Sequence, residues 1–243
     1  MTKKIMKAIT FSYDDGVTQD QRLISLFNKY GLKATFNINS GLLGHPGSLI
    51  REGVTVAHVK PRAEEIRAIY EGHEIAAHTL THPTLPKVEE DAEIIRQVEQ
   101  DRLALSELAG YEVVGMAYPG GGVNFNERVA ELIRANTGIR YARTTVSSYN
   151  FDPQEDLLVF RPTVYHHVEF DRMFALAEDF LASNPTTPQI FYIWGHAYEF
   201  DIGNTWDKME EFCRMIAHRN DVFYGTNRQV LLSRDWGTCE VEK

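Results

Sequence analysis

The stretch Ala8-Ile9-Thr10-Phe11-Ser12-Tyr13-Asp14-Asp15-Gly16 decides the fold. Residues 8–13 read as a buried strand, and two carboxylates and a glycine follow abruptly where that strand must end. Residues 19–30 then carry Leu23, Ile24, Leu26 and Phe27 at helical spacing, with Gly31 as the stop. A second strand, residues 34–38, begins at once. Strand, helix and strand without a hairpin turn predict parallel strands joined by a crossover helix.

Outward from this unit the same alternation continues. Residues 40–60 hold Gly41, Gly44, Pro46, Gly47 and Gly53 and read as an irregular loop over one barrel end. Helices are expected over 62–70, 88–109, 126–135, 169–182 and 206–217. Strands are expected over 73–77, 113–118, 140–144, 189–194 and 221–224. In the long helix Asp101 and Arg102 interrupt the apolar stripe of Ile94, Ile95, Val98, Leu105 and Leu108. Residues 145–165 have no readable period. The series, without an internal repeat, fits a closed α/β barrel better than an open doubly wound sheet. In either, functional groups belong just past the C-terminal ends of the strands.

Length and composition narrow the classes. The chain of 243 residues suits a single domain spanning 1–243, and 43 % hydrophobic with 24 % charged residues excludes a disordered or collagen-like chain. A formal charge of −9 disfavours nucleic acid or an anionic membrane as partner. Cys213 and Cys239 are too few and too far apart for a disulfide framework or a thiolate zinc site, and read as two reduced thiols. No run approaches the roughly 20 apolar residues of a membrane helix. The start, with Lys3, Lys4 and Lys7 running into the first strand, lacks the apolar segment of a signal peptide and favours the cytoplasm.

The unusual residues stand at the predicted strand ends. Asp14 and Asp15 repel one another unless a cation, a proton or a donor compensates; alone, the pair reads equally well as a helix cap. His78-Thr79-Leu80-Thr81-His82-Pro83 places two histidines four apart, which in a helical turn face one way and offer nitrogens to one ion. Two imidazoles and a carboxylate leave a position for water, the catalytic type of zinc site. Tyr118-Pro119-Gly120-Gly121-Gly122 lacks a phosphate-loop lysine and the GxGxxG register. It reads either as backbone presenting an N–H to a developing oxyanion or as a flexible turn. Trp194-Gly195-His196 puts a histidine where it can protonate a leaving amine, or simply packs it under the tryptophan. Tyr198, Glu199, Phe200, Asp201 and Trp206 read as an aromatic and acidic rim suited to a sugar face, and such a rim disfavours acidic polymers.

Taken in order, Ser12-Tyr13-Asp14-Asp15-Gly16, His78 to Pro83, Tyr118-Pro119-Gly120 and Trp194-Gly195-His196 resemble the motifs of the polysaccharide deacetylases, carbohydrate esterase family 4, over residues 8–224. The resemblance implies a distorted (β/α) barrel of about seven parallel strands, fewer than the standard eight. It also implies a divalent metal, most commonly zinc with cobalt or nickel as alternatives, on an Asp-His-His triad. Position by position, it implies Asp15, His78 and His82 as ligands, Asp14 as general base and His196 as general acid. The Gly120 N–H corresponds to the oxyanion donor, Tyr118 lines the same turn, and the substrate is a carbohydrate or small N-acetyl compound.

Two departures accompany it. The family's third motif usually has an arginine two residues before its proline, orienting the catalytic aspartate, and here that place is Ala117. Arg143, or Arg161 before Pro162, is expected to reach in instead. The last motif usually has an aliphatic residue two before its histidine, and here Trp194 narrows the pocket. His166-His167 reads as an exposed or capped pair. Two other functions compete with metal-dependent deacetylation. An allantoinase-like opening of cyclic amides can dispense with metal, against which Asp15, His78 and His82 argue. A non-catalytic carbohydrate-binding barrel needs neither base nor acid, against which Asp14 and His196 argue.

Overall fold

The computed structural model describes residues 2–233 and 235–240; Met1, Arg234 and 241–243, part of the domain expected over 1–243, lie outside the described residues. Lys7–Asp14 (β1) is buried from end to end, as its apolar run requires of a strand covered on both faces. Around it lie Ala34–Ile38 (β2), Glu74–Ala77 (β3), Gly115–Ala117 (β4), Tyr141–Arg143 (β5), Val164–Tyr165 (β6) and Gln189–Gly195 (β7). They follow the order β5-β4-β3-β2-β1-β7-β6, every neighbour parallel. Val222–Tyr224 (β8) pairs the beginning of β1, Val222 opposite Lys7, below the point where β2 takes over at Phe11. The path supplies the seven strands expected, with β8 attached at its side. Between β5 and β6 the sheet does not close; a single bridge, Arg143 to Phe160, stands in the gap. The result is a distorted (β/α) barrel.

Helices Asp20–Lys29 (α1), Ile66–Ile69 (α2), Asp91–Ala109 (α3), Glu127–Asn136 (α4), Phe170–Ala182 (α5) and Trp206–Ile216 (α7) cross between strands; Glu199–Gly203 (α6) and Asn227–Leu231 (α8) are short turns. Their termini follow local chemistry. Asn126 Oδ1 accepts from the Val129 N–H at 2.9 Å to start α4, and Gly110 ends α3 in the left-handed region at φ 78°. The apolar faces meet a core in which Phe11 packs on Phe27 at 4.6 Å and Phe36 on Tyr70 at 4.9 Å between centroids. Each fully buried aromatic or aliphatic side chain there contributes roughly 1.5–3 kcal/mol. Among the described residues no helix is long and apolar enough to cross a membrane.

The structure differs from the sequence reading in four places. Residues 40–60 are not wholly irregular: Ser48–Arg51 and Val54–Ala57 form an antiparallel hairpin. Its two-residue turn, Glu52 at φ 55° and Gly53 at φ 77°, is the kind that matches strand twist, a signal masked by the surrounding glycines. His78 to His82 is a loop rather than a helical turn. Residues 145–165 contain a 3-10 turn, Leu157–Val159, before β6. Thr2–Lys4 pairs antiparallel with Thr238–Glu240, a contact between distant segments that no local pattern announces.

Candidate active site

The strands of the barrel end around one cavity of about 490 Å³. β1 delivers Asp14, and the chain leaves through Asp15 at φ 79° and Gly16 at φ 56°. A Cβ on Gly16 would come to 3.0 Å from Ile38 Cγ2, so the tight exit needs glycine for space as well as for backbone freedom. β3 delivers His78, and the loop beyond it places Thr79 at φ 66° and His82 at φ 61°. For a β-branched residue that region is an outlier, with strain of order 1–3 kcal/mol. Local hydrogen bonds impose it. Asn39 Nδ2 donates to the His78 and Thr79 carbonyls at 2.5 and 2.9 Å, and Thr79 Oγ1 accepts from the His82 N–H at 3.2 Å. Asp101, the polar break in the α3 stripe, is buried and accepts from the His78 N–H at 2.9 Å and the Ser40 N–H at 2.7 Å.

The loop turns both imidazoles toward Asp15. Its Oδ1 lies 3.8 Å from His78 Nε2 and 3.5 Å from His82 Nε2, and one ligand atom from each residue falls within 4.8 Å of the others. Donors sharing a tetrahedral zinc ion at about 2.0–2.2 Å stand roughly 3.3 Å apart, so the set fits such an ion with small adjustment. The protonation states fit as well. His78 Nδ1 faces the Ala117 carbonyl at 2.8 Å, which can only accept, so its Nε2 presents a lone pair. Burial holds the His78 imidazole neutral, down to about 4, against the pull of Asp14. Burial pushes the Asp15 carboxyl up. The hydrogen bond from His58 and the charges of His196, Lys60 and His78 outweigh it, holding the group well below the ordinary carboxylate range.

Asp14 is gripped from the other side. Its Oδ1 accepts from Asn37 Nδ2 at 2.8 Å and its Oδ2 from the guanidinium of Arg143, which is fully buried, donates to Ser12 Oγ at 3.2 Å and lies 4.4 Å over the Trp194 ring. Ala117 and Arg143 are register partners on β4 and β5, so the guanidinium comes from the strand next to the position the family pattern would use. Arg161 is exposed and takes no part. Across the cavity, His196 stands past β7 with Nε2 at 4.0 Å from Asp15 Oδ2. Its Nδ1 meets Glu199 Oε1 at 2.9 Å and its backbone N–H donates to Oε2 at 2.9 Å. Burial alone would lower the imidazole, but the Glu199 carboxylate outweighs it and lifts His196 to about 9. Glu199 is itself held at about 2, chiefly by His196 against its own desolvation.

Other predicted residues are placed differently. Gly120 (φ 85°), Gly121 and Gly122 line the cavity, as do Trp194 and Tyr198. Tyr118 does not: it is buried, donates to the Leu158 carbonyl at 2.8 Å and lies against Phe125, because its side chain points into the core below the turn. The acidic rim is also corrected. Glu199 and Phe200 are buried, Trp206 nearly so, and Asp201 is occupied by Gln19 and by the Trp206 indole N–H. His166 is not an exposed partner of His167; it is fully buried and stacks on Phe200 at 4.4 Å. His166, His167 and Glu199 also offer ligand atoms within 4.8 Å, but Glu199 already takes Arg51 at 2.6 Å, Tyr165 and His196.

Sequence reading missed Arg51, His58, Lys60 and Tyr165. Tyr165 stacks on Trp194 at 4.2 Å and lines the cavity with Arg51. His58 and Lys60 both hold Asp15. Only the alternation of residues 48–51 and 54–57, with a charge at the tip, could have marked that hairpin.

An α/β barrel with an aspartate and two histidines converging at its strand ends defines a narrow class. The chain belongs to the polysaccharide deacetylase family, carbohydrate esterase family 4, whose profile matches residues 2–142. A curated relative, the peptidoglycan-N-acetylglucosamine deacetylase PgdA of Listeria monocytogenes, is 28 % identical over 133 residues, 54 % of this chain. The match spans only 24 % of that relative's length. Among solved structures, a family 4 carbohydrate esterase from Streptomyces lividans in complex with acetate superposes with TM-score 0.55 at 14 % identity over 98 % of both chains. The carbohydrate esterase domain of a multidomain xylanase from a Trinervitermes trinervoides hindgut metagenome gives 0.55 at 15 % identity, over 93 % of this chain and 90 % of that one. At these identities the likeness is one of fold.

Proposed function

We propose that the whole chain is one catalytic domain, a divalent-metal-dependent hydrolase that removes the acetyl group from an N-acetylated amino sugar or a related amide. One observation carries the reading: Asp14 and His196 flank the cluster of Asp15, His78 and His82 within a single cavity. A binding site needs no such pair. Asp15, His78 and His82 would hold the ion, zinc because two borderline imidazoles and a carboxylate oxygen suit that borderline cation, with cobalt or nickel as substitutes. When bound, the ion supplies Lewis-acid polarisation of the amide carbonyl and makes water more acidic.

Asp14 takes the proton of the attacking water, and Arg143 and Asn37 fix the direction in which its lone pairs point. The Gly120 N–H donates to the oxygen that gains charge as water adds to the carbonyl carbon. His196, its Nδ1 engaged by Glu199, donates its Nε2 proton to the nitrogen as the C–N bond breaks, releasing acetate and a free amine. Tyr165, stacked on Trp194, and Tyr198 line the cavity and give it an aromatic side against which a sugar can rest. The PgdA relative, named for N-acetylglucosamine deacetylation, supports the substrate class.

The test is chelator-stripped protein assayed on acetylated chitooligosaccharides and on cyclic amides, with zinc or cobalt returned. Acetate release that depends on the returned metal supports the reading. Zinc binding without hydrolysis would leave a carbohydrate-binding barrel, and turnover of a cyclic amide alone would point to the allantoinase-like chemistry.

A further inference from the structure

The hairpin of residues 48–57 leads into a segment that the function above does not use. The two oxygens of Asp15 have separate neighbours: Oδ1 is the one nearest His78 and His82, whereas Oδ2 lies 3.1 Å from His58 Nε2. Lys60 Nζ donates to the backbone carbonyl of the same residue. Backbone contacts fix this segment on both flanks. The His58 N–H donates to the Gly47 carbonyl at 2.9 Å, the Lys60 N–H to His45 at 3.0 Å and the Thr18 N–H to Val59 at 2.9 Å. The His58 ring also stands edge-on to Tyr198 at 5.3 Å. A carboxylate can only accept, so His58 presents Nε2–H to it.

We infer that His58 is a positioning residue of the ion site: it ties the outer oxygen of Asp15 so that the inner one faces His78 and His82. The inference rests on the proposed metal site and extends it, because a residue from the segment that follows the hairpin, and from none of the barrel strands, then sets metal affinity. Partners of ligating groups orient them and tune their donor strength, and losing one typically costs 10–100-fold in affinity.

Zinc affinity of the full chain, measured by competition with a chromophoric chelator at one fixed pH, tests it. His58→Ala and His58→Leu should each bind zinc about 10–100-fold more weakly than the parent. His58→Gln, whose amide can donate, should recover most of the loss. The cobalt-loaded visible spectrum should keep its band positions in all three, because His58 is not itself a ligand. A parent that binds neither metal overturns the site and the inference together. A parent that binds zinc, with both His58→Ala and His58→Leu within about twofold of it, overturns the inference alone, as does a shift of the cobalt bands.

Discussion

Replacing Arg143 with alanine is the sharpest perturbation of this site. The variant leaves the Asp14 carboxylate, 2 % exposed, with Asn37 but without its charge partner. It also removes donations to Ser12 Oγ at 3.2 Å and the Thr144 carbonyl at 3.1 Å, and the guanidinium 4.4 Å over Trp194. Removing one member of a buried ion pair costs about 3–5 kcal/mol, because the remaining charge stays buried. At about 2–4 °C per kcal/mol for a chain of this size, Tm should fall by roughly 6–20 °C. Turnover should fall about 10²-fold as the base loses its aim. The register offers a rescue. Ala117 is fully buried directly opposite Arg143, and side chains at paired positions leave a sheet on the same face. In the double variant Arg143→Ala, Ala117→Arg the new guanidinium enters the vacated space one strand away and should restore at least half of both losses. The assay is urea and thermal unfolding followed by circular dichroism, with acetate release at fixed zinc. Arg143→Ala within about 1 kcal/mol of the parent would refute the buried-pair argument. A double variant no better than Arg143→Ala would refute the register argument.

Further outcomes follow from individual contacts. Glu199→Gln should lower kcat at least tenfold and move the alkaline limb of its pH profile to lower pH, since the carboxylate is what lifts His196; an unmoved limb removes Glu199 from that role. His73 is buried, and desolvation with Lys33 nearby lowers it from 6.5 to about 4. The folded state thus binds fewer protons than the unfolded chain, so this stability is complete above about pH 6.5 and declines as pH falls toward 4, by up to about 3 kcal/mol. Comparing urea midpoints at pH 7.5 and 5.0 checks this, and His73→Gln should flatten the difference; an equal pH slope in both proteins would sink it. In Gly195→Ala the added Cβ would lie 2.0 Å from His166 Nδ1, an overlap that must shift a stacked and fully buried ring. Differential scanning calorimetry should register a loss of at least about 1–3 kcal/mol.

The parts of this molecule that were legible in the sequence share one physical cause. Buried parallel strands are continuous apolar runs, so β1, β2 and β7 stood out, and the polar residues at the ends of β1 and β7, Asp14, Asp15 and His196, line the cavity. What escaped the reading depends on juxtaposition. Glu199 reads as a rim carboxylate until α6 folds it under His196 and against Arg51. Tyr118 sits in the right motif, yet strand alternation and the Leu158 carbonyl draw its ring into the core. The vacancy left by Ala117 is visible in one dimension, whereas the supply of a guanidinium from β5 is visible only in the register. His58 and Lys60 belong to a glycine-rich segment whose importance to Asp15 arises from where the hairpin lands.

The gap between β5 and β6 has a consequence for how copies of this protein behave toward one another. A parallel sheet that stops short of closure has two margins whose amides can template growth by a second chain. Here the β5 margin and the approach to β6 are covered. On β5 the Phe160 N–H donates to Ala142 at 3.0 Å and the Thr144 N–H to Phe160 at 2.9 Å; beside β6, the Ser148 and Tyr149 N–H groups donate to Pro162 and Thr163 at 2.8 and 3.1 Å. The irregular segment 144–163 thus insulates the seam against self-templated assembly. Shortening that segment would bare the β5 margin and at the same time strip Leu158 and Phe160 from the core, so edge exposure and loss of packing come together.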